Sequence, residues 1–214
     1  MNQIIADKMK REVMVVNNTA LFSDVKRESK IYSTNESDFE TKILNNFEFM
    51  VRGPAEENTD YKQPITYAIV LNEKNDLFVY IRGGKDSAAG DVRLHEKLSI
   101  GVGGHLERED EEVENPLRDC LARELDEEIS LKEKNITEIF PIGYINDDRN
   151  PVGEVHIWVS YIIKTKHFNP VMEDGELASG EFVSYEKLRE MMESWNYNVE
   201  TWTELLAPEI EKYI

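Results

Sequence analysis

The 214-residue sequence contains one cysteine, Cys120, so no intramolecular disulfide forms and no cysteine cluster exists to hold zinc. A lone thiol of this kind reads as a small buried filler rather than a nucleophile. No apolar run approaches the roughly 20 residues that a membrane-crossing helix needs. Positive charge is scarce: 25 Lys and Arg face 43 Asp and Glu, for a formal net charge of −18. That balance excludes a broad binder of nucleic-acid polymers, which sets clustered Lys and Arg against phosphates, and it disfavours an anionic membrane surface. The first residues, Met1 to Lys8, lack an apolar stretch and carry an acid early, so they do not read as a secretory signal, and a cytoplasmic protein is expected.

Hydrophobic residues make up 40% and aromatics 9% of the chain, enough to build a core. An acidic chain can still take a small phosphorylated metabolite if a divalent cation stands between the two. The question is therefore whether the acids are scattered or focused.

Residues 1–64 read as an N-terminal extension and residues 65–214 as the main domain. The extension offers a short strand at Glu12 to Val16. A helix is expected from Asp38 to Met50, with Phe39, Ile43, Leu44 and Phe47 at helical spacing and Ser37 as N-cap. Gly53 to Pro64 is polar and turn-rich, as a junction would be. From Ile65 the pattern changes. Ile65 to Leu71 and Leu77 to Arg82 form an expected hairpin, and Leu98 to Val102 a strand running into Gly103-Gly104. A helix is expected from Pro116 to Ile129, then strands near Phe140 to Ile145 and Val155 to Ile163 and a strand edge at Glu181 to Ser184. Two helices, Tyr185 to Trp195 and Glu200 to Tyr213, close the chain. Hairpins mixed with single helices predict an α/β fold of the α+β type, an α-β-α sandwich around a mixed β-sheet. The extension packs on its own domain or on a second copy in a homodimer, and the sequence leaves both open.

The acids are focused in Arg123-Glu124-Leu125-Asp126-Glu127-Glu128-Ile129. Glu124, Glu127 and Glu128 stand at i, i+3 and i+4, which puts them on one helical face, where like charges oppose each other by roughly 0.2–0.5 kcal/mol per pair. At about 100° per residue the three flank and partly overlap the apolar stripe of Leu117, Leu121, Leu125 and Ile129. Such carboxylates border the protein body and need a cation or hydrogen-bond donors. On helix geometry alone a metal site and a solvated acidic face stand level. Upstream, Gly103-Gly104 ends a strand, where glycines let the backbone approach a ligand and offer it a carbonyl or an amide. A plain turn is the alternative.

Strand, Gly-Gly, loop, and then Arg-Glu-apolar-x-Glu-Glu on a helix resembles the Nudix box. Arg123, Glu124, Glu127 and Glu128 match its second half completely, with Leu125 and Leu131 in the apolar places. The first half departs from it. Gly104 and Arg123 are 19 positions apart where the box has 14, Asn115 stands where a Glu is expected with Glu114 one step away, and Ser130 replaces the closing Gly. The resemblance spans about residues 65 to 195. The extension and long loop are similar to the branch of predicted Nudix phosphoesterases.

What the resemblance implies is a hydrolase that uses Mg²⁺ or Mn²⁺ and lets water attack phosphorus in a nucleoside diphosphate derivative or similar diphosphate. Glu124, Glu127 and Glu128 would be metal ligands and catalytic groups, the carbonyl of Gly103 would complete the shell, and Arg123 would brace the loop or a glutamate. A general base would come from Glu173 to Glu176, with Glu176 the best match by position and Glu173 second. Arg82, Lys85, Arg93 and Lys97 flank the loop into the Gly-Gly strand. Arg82, Arg93 and Gly104 are the expected phosphate contacts, each with a plain surface or turn role as the alternative. Trp158 and Tyr161 read as core rather than a base-stacking platform, and His105 and His156 as structural histidines, with polar contacts near the site as the alternative. Two other readings stay open: a catalytically weak ligand-binding or regulatory module, and, ranked last, an isomerase on the same fold.

Overall fold

The computed structural model describes residues 3–83, 94–108, 115–172 and 177–214, with side chains from Ala6 onward. Eleven strands are described: β1 (Glu12–Asn17), β2 (Lys30–Tyr32), β3 (Phe47–Val51), β4 (Tyr61–Leu71), β5 (Leu77–Arg82), β6 (Lys97–Ser99), β7 (Gly101–Val102), β8 (Ile136–Asn146), β9 (His156–Thr165), β10 (Leu177–Val183) and β11 (Asn198–Val199). The helices are α1 (Gln3–Lys8), α2 (Asn18–Leu21), α3 (Phe39–Asn46), α4 (Arg52–Ala55), α5 (Pro116–Ile129), α6 (Pro151–Glu154), α7 (Tyr185–Glu193) and α8 (Thr201–Ile210). None of them is long and apolar enough to cross a membrane.

The main sheet runs β11-β6-β5-β4-β9-β8-β2. It is mixed: β4 pairs with β9, and β6 with β11, in parallel, while β8–β9, β5–β6 and β2–β8 are antiparallel. β4 is central and buried along nearly its whole length. Because side chains alternate across a strand, Ala68 and Val70 face one core and Ile65, Tyr67, Ile69 and Leu71 face the other. Leu117, Cys120, Leu121, Leu125 and Ile129 of α5 cover the first face, joined by Phe39 and Ile43 of α3. Leu188 and Met191 of α7 and Trp202, Leu206 and Ile210 of α8 cover the second. The result is the expected α-β-α sandwich around a mixed sheet.

Helix α5 occupies the span read from the sequence, but the expected helix from Asp38 to Met50 does not hold. It ends at Asn46, and Phe47–Val51 is strand β3, paired antiparallel with β1 from Glu12↔Val51 to Val16↔Phe47. Sheet pairing overrides the helical spacing there. The cap is Asp38 rather than Ser37: its carboxylate accepts from the Thr41 amide at 3.0 Å, while the Ser37 hydroxyl bonds Asp24 and accepts from Lys42. Arg52–Ala55 forms a short helix where a junction was expected, and β4 begins at Tyr61.

Residues before β4 are woven into the sheet: β1 pairs with β4, and β2 with β8. A partly buried ion cluster ties them further. Asp148, in the turn after β8, accepts from Arg27 Nε at 2.7 Å, Lys62 Nζ at 2.6 Å and Asn146 Nδ2 at 3.1 Å. Lys62 is fully buried and also donates to the Gly153 carbonyl at 2.5 Å. Burial pulls the Lys62 ammonium down to about 8, partly offset by Asp148, so it stays charged at neutral pH. Burial alone would raise the Asp148 pKa, but the hydrogen bonds from Arg27, Lys62 and Asn146 outweigh it and hold the carboxyl well below the usual range.

Asp148 therefore contributes stability that is full above the unfolded carboxyl value near pH 3.9 and is lost as pH falls through the lowered folded value. Asp148→Asn is expected to lower stability by about 3 kcal/mol at neutral pH, because it leaves Lys62 buried without its counter-charge. The gap to the parent should narrow as pH drops below about 4. Urea denaturation at a series of pH values checks both, and a gap that is constant with pH would contradict the assignment.

Candidate functional site

Helix α5 starts and stops on identifiable chemistry. The Asn115 side chain accepts from the Arg118 amide at 3.2 Å, and Pro116 follows in the first turn, where its missing N–H is harmless. Asn115, which breaks the sequence pattern of the box, thus has a capping role. At the other end Ser130 takes a left-handed φ of 56°, and the Leu131 amide donates to the Leu125 carbonyl at 3.0 Å. This is the geometry that favours glycine after a helix, and Ser130 adopts it without one.

The three glutamates project from the same stretch of α5 into different surroundings. The side chain of Glu124 is 13% exposed and that of Glu127 60% exposed, while Glu128 is buried at 4%. The carboxylate of Glu124 accepts from Arg123 Nη1 at 2.7 Å, and Glu127 lies 3.4 Å from the same nitrogen. Arg123 Nη2 donates to the His105 carbonyl at 3.1 Å. One guanidinium thus spans helix and Gly-Gly loop, holding a carboxylate with one arm and the loop backbone with the other.

The glycines have steric reasons. Gly103 has φ of +152°, and a β-carbon there would lie 1.9 Å from the Thr66 carbonyl oxygen. A β-carbon on Gly104 would lie 2.5 Å from Cδ and Oε1 of Glu124. The carboxylate fills the space that a side chain would take, so the strand end and the helix meet at this point. The Gly104 carbonyl is engaged by the Thr66 amide at 3.1 Å, which pins the corner to β4.

Arg82, at the end of β5, is held by Glu200 and Tyr80. Its Nε donates to Glu200 Oε1 at 2.7 Å, and its guanidinium lies 5.5 Å from the centre of the Tyr80 ring. Burial opposes its charge, but Tyr80, Glu200 and Glu128 more than offset that and keep its pKa well above the ordinary value. Lys97 is half-buried on β6. Trp158 and Tyr161 are buried core residues, the first stacked on Trp202 and the second donating its hydroxyl to Glu40. Cys120 is buried filler beside Thr66. Lys85, Arg93, Glu173 and Glu176 lie outside the described residues. A cleft of about 310 Å³ between β5, β10 and α7, lined by Val79, Ile81, Gly180 and Met191 among others, includes none of the three glutamates.

One constellation escaped the reading of the sequence. His105, the residue after the glycine pair, and His156, the first of β9, place their Nε2 atoms 3.0 Å apart, and Glu56 Oε1 stands 3.9 and 3.7 Å from them. The three come from separate parts of the chain with no shared motif, so only the tertiary fold reveals them.

The NUDIX domain family model matches residues 62–203. The chain is 35% identical to Protein YmaB of Bacillus subtilis (strain 168) over 168 residues, covering 76% of this chain and 77% of that protein. Among solved structures it resembles Tm1382 with a TM-score of 0.77 at 21% identity, covering 95% of this chain and 100% of that one. It also resembles the NUDIX domain of Shewanella oneidensis NrtR complexed with ADP ribose, with a TM-score of 0.52 at 10% identity over 71% of this chain and 87% of that one. At those identities the solved structures speak for the fold. The 95% coverage by Tm1382 carries that likeness into the residues before the family match.

Gly104→Ala separates the site from the fold. The clash falls on the far end of a flexible glutamate, which moves at little cost in stability, but the carboxylate then leaves its position. The variant is expected to keep its melting temperature within a few degrees and, on the expectation that Glu124 is a metal ligand, to lose about 10- to 100-fold in affinity for Mg²⁺ or Mn²⁺, the scale seen when a supporting contact to a metal ligand is removed. Calorimetric titration measures it, and unchanged affinity would contradict the expected ligand role of Glu124.

Proposed function

The chain belongs to the Nudix family of hydrolases, and from that premise we propose that it cleaves a diphosphate bond in a small phosphorylated metabolite, a nucleoside diphosphate derivative or a close analogue, with Mg²⁺ or Mn²⁺ bound by Glu124, Glu127 and Glu128. The observation that carries this reading is the contact of Gly104 with the Glu124 carboxylate, because it joins the glycine corner to the acidic helix face. The donor set fits the ion: carboxylate oxygens, with the Gly103 carbonyl as a further candidate, are the hard ligands that Mg²⁺ and Mn²⁺ take. When bound, such an ion neutralises the diphosphate and lowers the pKa of a coordinated water.

The chain's own groups then divide the remaining work. Arg123 positions Glu124 by a charge-assisted bond and fixes the loop through the His105 carbonyl, so the ligand is oriented before substrate arrives. The Gly104 amide and the cations Arg82 and Arg93 are assigned to the substrate phosphates. Arg82 serves there as a charge already fixed by Glu200. Glu176 is assigned as general base, with Glu173 as its substitute. A base in that role would need its pKa raised by nearby acids.

Glu128→Gln keeps the shape of the side chain and removes one negative charge. Turnover on the best substrate of a diphosphate panel is expected to fall by about 10²–10³, the scale for losing one preorganised electrostatic contact in a transition state. Circular dichroism should remain that of the parent. Wild-type turnover in this variant would remove the mechanism, and binding of panel compounds by the parent without release of phosphate products would make the protein a ligand-binding module.

A further inference from the structure

Glu56, His105 and His156 are nearly closed off from solvent, with side-chain exposures of 9%, 12% and 4%. Their facing atoms all lie within 4.8 Å of one another. Two zinc–nitrogen bonds of about 2.0–2.1 Å at a tetrahedral angle hold their nitrogens about 3.3 Å apart. The Nε2 atoms of His105 and His156 stand at 3.0 Å, and the carboxylate oxygen at 3.7 and 3.9 Å, so shifts of about half an ångström would bring all three to coordination distance.

The tautomer is also set. His156 Nδ1 lies 2.7 Å from the Val152 carbonyl oxygen. A carbonyl only accepts, so Nδ1 carries the hydrogen and the Nε2 lone pair faces the cluster. A ligating histidine is ordinarily oriented by such a bond from its other nitrogen. Arg52 Nε donates to the same Glu56 oxygen at 3.4 Å.

A second, independent observation concerns Gln63. It is 1% exposed, and neither its amide oxygen nor its amide nitrogen has a hydrogen-bond partner among the described residues. Gln63 is registered with His156 in the parallel β4–β9 pair, so the two side chains leave the sheet on the same face. Buried amides are rarely left unpaired. A water coordinated to an ion, or the amide oxygen itself as fourth ligand, would satisfy the oxygen of this one.

From this arrangement we infer that Glu56, His105 and His156 form a metal site separate from the helix glutamates, one that takes a borderline transition-metal ion, Zn²⁺ foremost. Imidazole nitrogens select zinc, nickel or cobalt over magnesium, whereas the all-oxygen set on α5 selects the reverse. Binding displaces the proton shared between the two Nε2 atoms, which leaves to solvent. The ion would clasp the segment before β4, through Glu56, to the glycine corner, through His105, whose carbonyl is held by Arg123. The inference does not depend on the diphosphatase reading.

The test uses the full chain, stripped with chelator and titrated with ZnCl₂ by calorimetry and thermal melting. The wild type is expected to take up one Zn²⁺ that excess Mg²⁺ does not displace and to gain several degrees in melting temperature. A variant carrying Glu124→Gln, Glu127→Gln and Glu128→Gln should keep that uptake, and His105→Gln and His156→Gln should each lose it at least tenfold. X-ray absorption at the zinc edge of the wild type reads the ligands without any variant, and two imidazoles support the site. No uptake by the wild type, which would leave a hydrogen-bonded histidine pair only, overturns the inference. So does uptake that survives both histidine changes, uptake lost in the glutamate variant alone, or a zinc shell without imidazole.

Discussion

The contact between Gly104 and the carboxylate of Glu124 is the constraint on which the candidate site turns. A strand end and a helix approach so closely that one side chain must be absent for the other to fit. The glycine before it meets the Thr66 carbonyl in the same way, and the Gly104 carbonyl is bound by the Thr66 amide, so the corner is locked to the central strand. Arg123 closes the arrangement from the helix side. A charge held to a backbone carbonyl and a carboxylate together is worth more than either bond alone, because each arm limits the freedom of the other.

The sheet explains why that corner can be rigid. Strand β4 is covered on both faces, by α5 on one and by α7 and α8 on the other, and it exchanges hydrogen bonds with β9 along nearly its full length. Packed interiors of this kind transmit a displacement rather than absorbing it. The residues before β4 add to the rigidity. They contribute β2 at one sheet edge, β1 beside β4, and Arg27 to the partly buried cluster around Asp148 and Lys62.

Local information in the chain was enough for elements that local rules decide. The span of α5 was legible because its apolar stripe, Pro116 and the acidic turn all agree, and the alternation of β4 and β5 was legible for the same reason. The stretch from Asp38 to Met50 misleads because Phe39, Ile43 and Phe47 do fall at helical spacing, while Phe47 and Phe49 also alternate. Pairing with β1 decides for the strand, and no local rule carries that information. At the site, Glu124, Glu127, Glu128 and Arg123 were legible as a motif. The roles of Asn115 and Ser130 were not, since both departures from the pattern are backbone solutions, a cap and a left-handed turn. Glu56, His105 and His156 were invisible as a group because they lie far apart in the chain: the β4–β9 pairing and the Ile65–His105 bridge bring the two histidines together, and Glu56 stands at the end of α4.

The two clusters of potential ligands divide by chemistry: carboxylates on a helix face beside the glycine corner, and imidazoles behind it. The most direct measurement of the central claim is an anomalous difference map from crystals soaked in Mn²⁺. The account predicts a peak beside Gly104, bound by oxygens of Glu124, Glu127 and Glu128. A peak remote from α5, or an empty helix face with those carboxylates turned away from one another at saturating Mn²⁺, would contradict it.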